Sequence, residues 1–421
     1  MLQIIDFLTF VWLSLCLLFV ISRLSKGYND VILFVYMVYY IFFATPLLLD
    51  LVFGIPNYYI YPGFRDSSGD FLTAYIYSIY ISVVPVIWLL TTKLNKKQRK
   101  LDSFDVNNRF IKRTYPIFYF LLFIPIIAVL FSPNPMLYLE YGAAANGLFI
   151  NESESYHFVV NLSVNLSVIS IICLLIFRDN KIPKYIILLS PIMFICIWIN
   201  GKRAIVAVLA VAIGYILWNK GYLRGVKFYI SIVLAAIIFA LFTSIYQFNL
   251  RYESLGINNF SDIYENIRVD FGRDAVTKFS INRTLYPEKG EIVEFAGQSF
   301  LFDLTMYVPR EFWANKPWPY AVYMTAAIFG LPPDYIGWGV TTSILEEAIS
   351  NFGWFGMLIG PLMVSLICRW GERCNHELIY LMTVLVASLF LVLQLAAFAN
   401  MFFLWVILIL TLRKRKSKLV G

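Results

Sequence analysis

Long runs of apolar residues recur along the whole chain, separated by polar stretches that are mostly short. Each run is close to the roughly 20 residues that an α-helix needs to cross a bilayer. The pattern predicts eleven transmembrane helices, at residues 2–22, 31–53, 71–92, 115–132, 157–177, 185–199, 203–218, 228–247, 352–368, 378–394 and 397–412. The last two runs together exceed a single crossing, so they are predicted as two helices rather than one kinked helix.

The composition agrees with this pattern. The chain is 60% hydrophobic and 18% aromatic with a mean hydropathy of +0.72, far above the apolar share of a soluble domain. The predicted fold class is an all-α polytopic membrane protein with one large, partly helical external loop. Its predicted parts are an N-terminal bundle of about eight spans (1–247), the external loop (248–351), about three C-terminal helices (352–412) and a basic cytoplasmic tail (413–421).

The basic residues are distributed unevenly over the predicted loops. One set of alternate loops is formed by 23–30, 93–114, 178–184, 219–227, 369–377 and the tail. This set holds 23 of the 34 lysines and arginines but only six acids, so the positive-inside rule places it in the cytoplasm. The net charge of +8 is therefore explained by topology and attraction to lipid headgroups, and nucleic acid is not an expected partner.

The cysteines and histidines do not indicate a metal site. Each cysteine lies in a predicted span or a cytoplasmic loop: Cys16, Cys173, Cys196, Cys368 and Cys374. The chain has two histidines, His157 and His376, and they fall on opposite sides of the membrane. A His/Cys metal centre and an outward disulfide are therefore not expected.

Lys202 and Arg203 stand at the outward tip between two apolar runs. Both arms are slightly short for a full bilayer, so the tip is predicted to lie at or below the outer interface. Snorkelling to lipid phosphate accounts for Lys202. Arg203 opens a helix, where a cation is unfavourable unless an anion lies beside it. The position of Arg203 therefore predicts an outward-facing phosphate or pyrophosphate site.

The large loop is rich in aromatic and apolar residues. Its residues 260–271 have apolar side chains at helical spacing, which predicts an amphipathic helix lying on the outer membrane face. Its cations are Arg251, Arg268, Arg273, Lys278, Arg283, Lys289, Arg310 and Lys316. Lys278, Arg283 and Lys289 are interpreted as a solvated face, whereas Arg310 lies among aromatics, where a partly desolvated guanidinium needs a partner.

A second candidate site precedes the ninth span. Ser343 and Glu346 have capping-box spacing, so Glu346 is predicted to serve a helix N-terminus. Glu347 has no predicted capping role. It shares a helix face with Asn351 and lies at the predicted membrane boundary, where an ionisable group indicates function. The alternative for Glu347 is an ion pair with an arginine of the large loop.

Several of these features together resemble the Wzy-type polymerases of bacterial surface polysaccharides. They are the GKR of residues 201–203, then Val308-Pro309-Arg310…Trp313…Asn315-Lys316-Pro317, then Thr342-Ser343…Glu347…Asn351-Phe352-Gly353. The resemblance implies glycosidic bond formation on the outer face of the cytoplasmic membrane. A growing glycan on undecaprenyl pyrophosphate would be transferred onto the next lipid-linked repeat unit.

The resemblance also implies roles for particular residues. Carrier pyrophosphate is the leaving group, and cations must stabilise its developing charge. The predicted pyrophosphate-binding residues are Arg203 and Arg310 first, then Arg251, Arg268, Arg273 and Lys202. Glu347 is the predicted catalytic base, with Asp270, Asp274 and Asp303 as alternatives. No metal or cofactor is implied, and the expected partners are the lipid-linked oligosaccharide, membrane lipids and a chain-length regulator.

Two other classes of protein remain as alternatives. An O-antigen ligase resembles the polymerases in its architecture and its lipid-linked donor. The ligase family has a histidine in its large outer loop, however, whereas residues 248–351 contain none. A polysaccharide flippase would be expected to show two similar halves and cations inside its spans. Neither feature is present in the predicted organisation.

Overall fold

The computed structural model describes residues 2–95, 101–102, 109–139, 154–177, 181–200, 203–234, 237 and 260–419. Every regular element within these ranges is a helix. Six segments are long and apolar enough to cross a bilayer: Gln3–Ser25, Val31–Phe53, Phe71–Thr92, Val159–Ile176, Ile182–Ile199 and Ile344–Glu372. The prediction of a helical, membrane-embedded protein is confirmed, while the count of eleven spans and the external position of the large loop stay predictions.

The chain folds into two compact units. Residues 1–100 and 256–421 form unit 1, and residues 101–255 form unit 2. Unit 1 therefore joins the first helices of the chain to nearly all of the predicted loop and to the C-terminal helices. The predicted boundaries at 247, 351 and 412 follow membrane topology rather than packing, and they also stay predictions.

Unit 1 begins with a set of long apolar helices. These are α1 (Leu2–Ser25), α2 (Val31–Tyr39), α3 (Thr45–Phe53), α4 (Pro62–Gly69) and α5 (Phe71–Thr92). The Tyr36 hydroxyl donates to the Leu13 carbonyl (2.8 Å), and the ring of Tyr40 packs 6.2 Å from that of Phe10. Because later residues of one segment meet earlier residues of the other, α1 is antiparallel to the segment formed by α2 and α3.

A break between α2 and α3 exposes a backbone acceptor. A π-helical turn, Tyr40–Ala44, joins the two helices, and Pro46 follows within the first turn of α3. Proline has no N–H, so the carbonyl of Phe42, four residues earlier, lacks its helical donor. The backbone N–H of Arg273 donates to this carbonyl at 3.0 Å. The break thus creates a contact point for a distant segment about halfway along a candidate span.

Unit 2 is a smaller set of helices. Its elements are α6 (Arg109–Leu130), a 3₁₀ turn (Pro135–Leu139), α7 (Glu154–Ile176), α8 (Ile182–Asn200), α9 (Arg203–Asn219) and a helical stretch at 226–234. The Ser167 hydroxyl donates to the Leu122 carbonyl (3.1 Å) and the Ser170 hydroxyl to that of Phe118 (2.6 Å), so α6 and α7 are antiparallel. The predicted helix start at Arg203 is confirmed.

The chain then returns to unit 1. The elements are α10 (Phe260–Phe271), α11 (Asp274–Leu285), α12 (Gln298–Thr305), α13 (Tyr320–Phe329), α14 (Ile344–Phe352), α15 (Gly356–Glu372), α16 (Glu377–Phe390) and α17 (Ala399–Leu419). The Trp405 indole N–H donates to the Thr383 hydroxyl (2.9 Å), and Phe390 packs edge-on to Phe398 with ring centroids 5.1 Å apart. The last two predicted helices are therefore separate and antiparallel.

α10 lies along α3 inside unit 1. The Tyr264 hydroxyl donates to the carbonyl of Gly54, just past α3 (3.0 Å), whereas Arg273, just past α10, meets Phe42. About 18 Å of helix separates Phe42 from Gly54. The predicted helix at 260–271 is confirmed, but the structure packs most of it against other helices rather than laying it on a membrane face.

α11 leads back along α5. The Lys278 ammonium lies 5.2 Å from the centre of the Tyr77 ring, and the Asn282 amide donates to the Thr73 hydroxyl near the start of α5 (2.9 Å). α10 and α11 together therefore form a helical hairpin, which runs along α3, reverses at Gly272 and Arg273, and runs back along α5.

The last of the six candidate spans, Ile344–Glu372, contains a chain reversal. Gly353 ends α14 with a positive φ of 57°, which glycine adopts without strain. Beyond the turn, Gly356 lies against the backbone of Ala348, and Gly360 lies against that of Leu345. α14 is therefore antiparallel to the first part of α15, and at about 14 Å it is too short to cross a bilayer.

Gly356→Ala should destabilise this reversal. A Cβ at residue 356 would lie 2.6 Å from the Cα of Ile349 and still closer to the Ala348 carbonyl oxygen, so backbone must move, at a cost of about 1–3 kcal/mol. Thermal unfolding in detergent measures the change. Gly214→Ala is the matched control, because its Cβ would meet nothing within 4 Å and alanine favours the helix. Equal unfolding temperatures for both variants would contradict the packing described.

Candidate functional site

α11 passes through the core of unit 1 although more than half of its residues are polar. All of Asp274–Asn282 is buried. A buried polar group costs free energy unless a partner satisfies it. The Thr277 hydroxyl donates to the Arg273 carbonyl (2.6 Å) and the Ser280 hydroxyl to that of Val276 (3.1 Å). The charged residues of the helix need partners from other elements.

Those partners form a charge cluster of Asp50, Arg268, Asp274 and Lys278. Arg268 contacts Asp50 through a short ion pair and Asp274 at 2.5 Å. Lys278 lies 3.9 Å from Asp50 and 3.8 Å from Asp274, and Asp6 of α1 is near enough to interact with it. Burial alone would lower the pKa of Arg268, but nearby negative groups, Asp274 first, outweigh it and raise that pKa.

Arg273 is bound at a helix end. Its guanidinium donates twice to the Val392 carbonyl (3.2 and 3.0 Å), just past the end of α16, and once to the Gly272 carbonyl (2.7 Å). A cation is favoured at a helix C-terminus, where carbonyls lack helical donors. Arg268 and Arg273 were both predicted to bind pyrophosphate, and the structure gives both of them partners within the protein.

Arg310 closes the loop between α12 and α13. It donates to the carbonyls of Lys316 (2.7 Å) and Pro317 (3.0 Å), and its guanidinium lies 3.5 Å from the centre of the Trp318 ring. Lys316 donates to two backbone carbonyls of the same loop (2.8 and 2.9 Å). Burial first, and then Arg310, lowers the pKa of Lys316. The partners that Arg310 was predicted to need are thus two carbonyls and an indole ring.

Glu346 has the predicted capping role and one further contact. Its carboxylate accepts from the Ser343 backbone N–H, and the Ser343 hydroxyl accepts from the backbone in return, so the capping box is confirmed. The Thr277 hydroxyl lies 3.4 Å from the same carboxylate. The start of α14 is therefore linked to the buried helix α11.

Glu347 is buried beside a second acid. Its carboxylate accepts from the Ser299 hydroxyl (2.6 Å), which in turn accepts from the Asn351 amide (2.8 Å). Asp303 lies one turn after Ser299 on α12, close enough to interact electrostatically with Glu347, and burial raises the pKa of Asp303 to about 7. Among the residues that the structure describes, no cation pairs with either carboxylate.

A cavity of about 260 Å³, called here the polar cavity, is lined in part by Asn351. Its walls are Ser280, Arg283, Thr284, Pro287, Glu291, Ile292, Val293, Phe295, Ala296, Ile349, Ser350, Asn351 and Gly353. The hydroxyls of Ser280 and Ser350 lie 3.1 Å apart, and the Tyr320 hydroxyl contacts both of them (3.2 and 2.7 Å). The cavity thus combines hydroxyl, amide and charged groups with an apolar wall.

A second depression, called here the apolar groove, lies between α5 and the start of α15. Its volume is about 320 Å³, and its walls are Ile76, Ile79, Tyr80, Val83, Ile87, Trp354, Met357 and Leu358. Gly353 lines the polar cavity and the next residue, Trp354, lines the apolar groove. The two depressions therefore border the same turn between α14 and α15.

Three predicted site residues cannot be placed against this geometry. Lys202 and Arg251 lie outside the described residues. Arg203 begins α9 in unit 2, and its side chain lies outside the described part of the chain. Their roles in binding pyrophosphate stay predictions.

Four residues, three of them buried, were missed or misinterpreted from the sequence. Asp6 and Asp50 are lone acids within apolar runs, and the rule that an ionisable residue inside a span needs a partner would have marked them. Lys278 was interpreted as solvated, and this was wrong, because it is only 1% exposed. Arg283 was also interpreted as solvated, yet it lines the polar cavity.

The fold and site together define an all-helical, membrane-embedded protein with a buried charge cluster and a polar cavity beside an apolar groove. No protein-family model, curated protein or solved structure matches the chain. Its function must therefore be inferred from the site itself.

Asp50→Asn should strongly destabilise the protein. The change leaves Arg268 and Lys278 with one buried carboxylate fewer between them, and breaking a buried ion pair in this way costs about 3–5 kcal/mol. Chemical unfolding in detergent measures the loss. Asp66→Asn, at an exposed position of α4, removes the same charge and should change little. A charge cluster without structural importance would give equal results for both variants.

Proposed function

We propose that this protein is a membrane glycosyltransferase that polymerises lipid-linked saccharide repeat units. The donor is a glycan on a polyprenyl pyrophosphate, and the site faces the outer side of the bacterial cytoplasmic membrane. The observation that carries this proposal is the position of the polar cavity and the apolar groove on the same turn, with Glu347 close behind. Such a pair of surfaces suits a substrate with a long apolar tail and a polar saccharide head.

The apolar groove fits the tail of such a substrate. The α5 residues that line it belong to a candidate span, and Ile79 and Val83 are 47% and 43% exposed. Trp354 is also half exposed at the end of the groove nearest the polar cavity. An isoprenoid chain lying there would cover these side chains without leaving the hydrocarbon region.

In this proposal Glu347 acts as the base. In the proposed reaction the acceptor hydroxyl oxygen bonds to the anomeric carbon of the donor, and the bond from that carbon to pyrophosphate oxygen breaks. The hydroxyl proton passes to the Glu347 carboxylate, and the leaving pyrophosphate takes the electron pair. Ser299 orients the carboxylate, and Asn351 joins both residues to the wall of the polar cavity.

Glu347→Gln tests the reaction. Glutamine keeps the shape of the side chain but removes its basicity, so polymer formation should fall at least about 10²-fold. The measurement uses the full-length protein in liposomes supplied with polyprenyl-pyrophosphate-linked repeat units, and product length is read on a gel. Glu311→Gln, at an exposed position of the loop between α12 and α13, is the control.

Three outcomes of that assay would contradict the proposal or the role that it gives to Glu347. Full polymer length and amount from Glu347→Gln would make Glu347 structural. Transbilayer movement of single units without polymerisation would identify a flippase. Transfer of finished glycan to a different lipid acceptor, without chain growth, would identify a ligase.

Val83→Trp tests the apolar groove. The larger side chain fills space that the carrier would occupy, so KM for a long-chain carrier should rise about tenfold, the effect of losing the burial of roughly two methylene groups. A short-chain analogue should be affected less. Leu366→Trp, at a position of α15 that is 62% exposed outside the groove, is the control. An equal rise in KM for both carriers would exclude the groove as the carrier site.

A further inference from the structure

Arg283 lies on the last turn of α11 and lines the polar cavity. One end of its guanidinium donates to the Lys289 carbonyl, and the group lies 4.8 Å from the centre of the Phe279 ring. Its Nε atom is buried and has no hydrogen-bond partner among the described residues. An unsatisfied buried donor of a charged group is costly. The Nε of Arg268 also lacks a partner among the described residues, but Arg283 differs from Arg268 in lining a cavity in which a ligand can lie.

The acids near Arg283 do not supply an acceptor for its Nε. Glu291 also lines the polar cavity, but its side chain is exposed and forms no ion pair with Arg283 within the described part of the chain. Asp66 acts on Arg283 only as a nearby charge. Burial lowers the pKa of Arg283, and Asp66 only partly offsets this. The guanidinium is thus a partly desolvated cation on a cavity wall.

The neighbouring cations are bound differently. Arg268 and Lys278 meet carboxylates, whereas Arg273, Arg310 and Lys316 meet backbone carbonyls. Each of these five side chains contributes to holding the fold together. None of them lines the polar cavity, whose wall contains one arginine and no lysine among the residues that the structure describes.

We propose that Arg283 binds an oxyanion of the substrate inside the polar cavity. The anion is either the pyrophosphate of the carrier or the carboxylate of an acidic sugar, and this choice of ligands rests on the proposed function. Arginine suits both groups, because its planar fork of donors matches phosphate and carboxylate oxygens. The hydroxyls of Ser280 and Thr284 and the amide of Asn351 line the same space and can bind the remaining oxygens.

The test uses the full-length protein in detergent and two probes, inorganic pyrophosphate and glucuronate. Calorimetric titration at fixed ionic strength gives the affinity of each probe. Arg283→Gln should weaken binding of at least one probe by about tenfold or more, since it removes a charge-assisted hydrogen bond. Lys289→Gln is the matched control: it removes a neighbouring exposed cation but keeps the backbone carbonyl that Arg283 contacts, so its affinity should stay near wild type.

The probes identify the anion. Loss of pyrophosphate binding alone assigns the cavity to the carrier headgroup, and loss of glucuronate binding alone assigns it to an acidic sugar. The proposal is overturned if neither probe binds the wild type, or if Arg283→Gln binds both as the wild type does. Should Arg283→Gln not elute as a single species, Arg283→Lys decides: it keeps the charge, loses the fork, and should still bind more weakly.

Failure of this inference is separable from failure of the proposed function. If the wild type forms no polymer in liposomes but its anion binding depends on Arg283, the anion site stands and the reaction assignment falls. If polymer forms but Arg283→Gln binds both probes as the wild type does, the reaction stands and the site assignment falls.

Discussion

The architecture of unit 1 depends on placing a polar helix inside an apolar bundle. α11 carries Asp274 and Lys278 into the core, and α10 brings Arg268 beside them. Removing these charges from water is tolerable only because Asp50, within a candidate span, completes a set of two cations and two acids. Each charge then has an opposite neighbour, and this mutual neutralisation fixes the depth and rotation of α10 and α11. An apolar α11 could slide along α5, whereas this one meets its partners in a single register.

The position of α11 in turn sets the candidate site. Thr277 contacts the capping residue Glu346, and Ser280 shares a hydroxyl network with Tyr320 and Ser350. These contacts hold α14 alongside α11, and α14 presents Glu347 one turn from the polar cavity. The chain then reverses at Gly353. Gly356 and Gly360 have no side chain, so α15 can pack directly on the backbone of α14. The same turn brings the apolar groove beside the polar cavity.

Much of this fold can be predicted from local sequence patterns, whereas less of the candidate site can. Apolar runs predict the long helices, and the capping box at Ser343 depends on residues only three positions apart. The helix at 260–271 was also predicted, because its apolar face repeats at helical spacing. Its burial was not predictable in this way, because the partners of its polar face are remote: Asp50 precedes Arg268 by 218 residues. Lys278 was misinterpreted for the same reason, since a lysine with a distant buried partner has the same local sequence as a solvated one.

Breaks in apolar helices explain why Arg273 contacts backbone carbonyls of distant helices. In a bundle without water, each helix interruption leaves backbone acceptors that neighbouring groups must satisfy. The turn before Pro46 frees the Phe42 carbonyl, and the end of α16 frees that of Val392. Arg273 satisfies the first with its backbone N–H and the second with its guanidinium. Arg273 thus satisfies two backbone carbonyls. If its guanidinium bound another group instead, the Val392 carbonyl would lose its donors. Arg283 differs from Arg273, because its Nε has no partner among the described residues and it lines the polar cavity, as the proposed anion site requires.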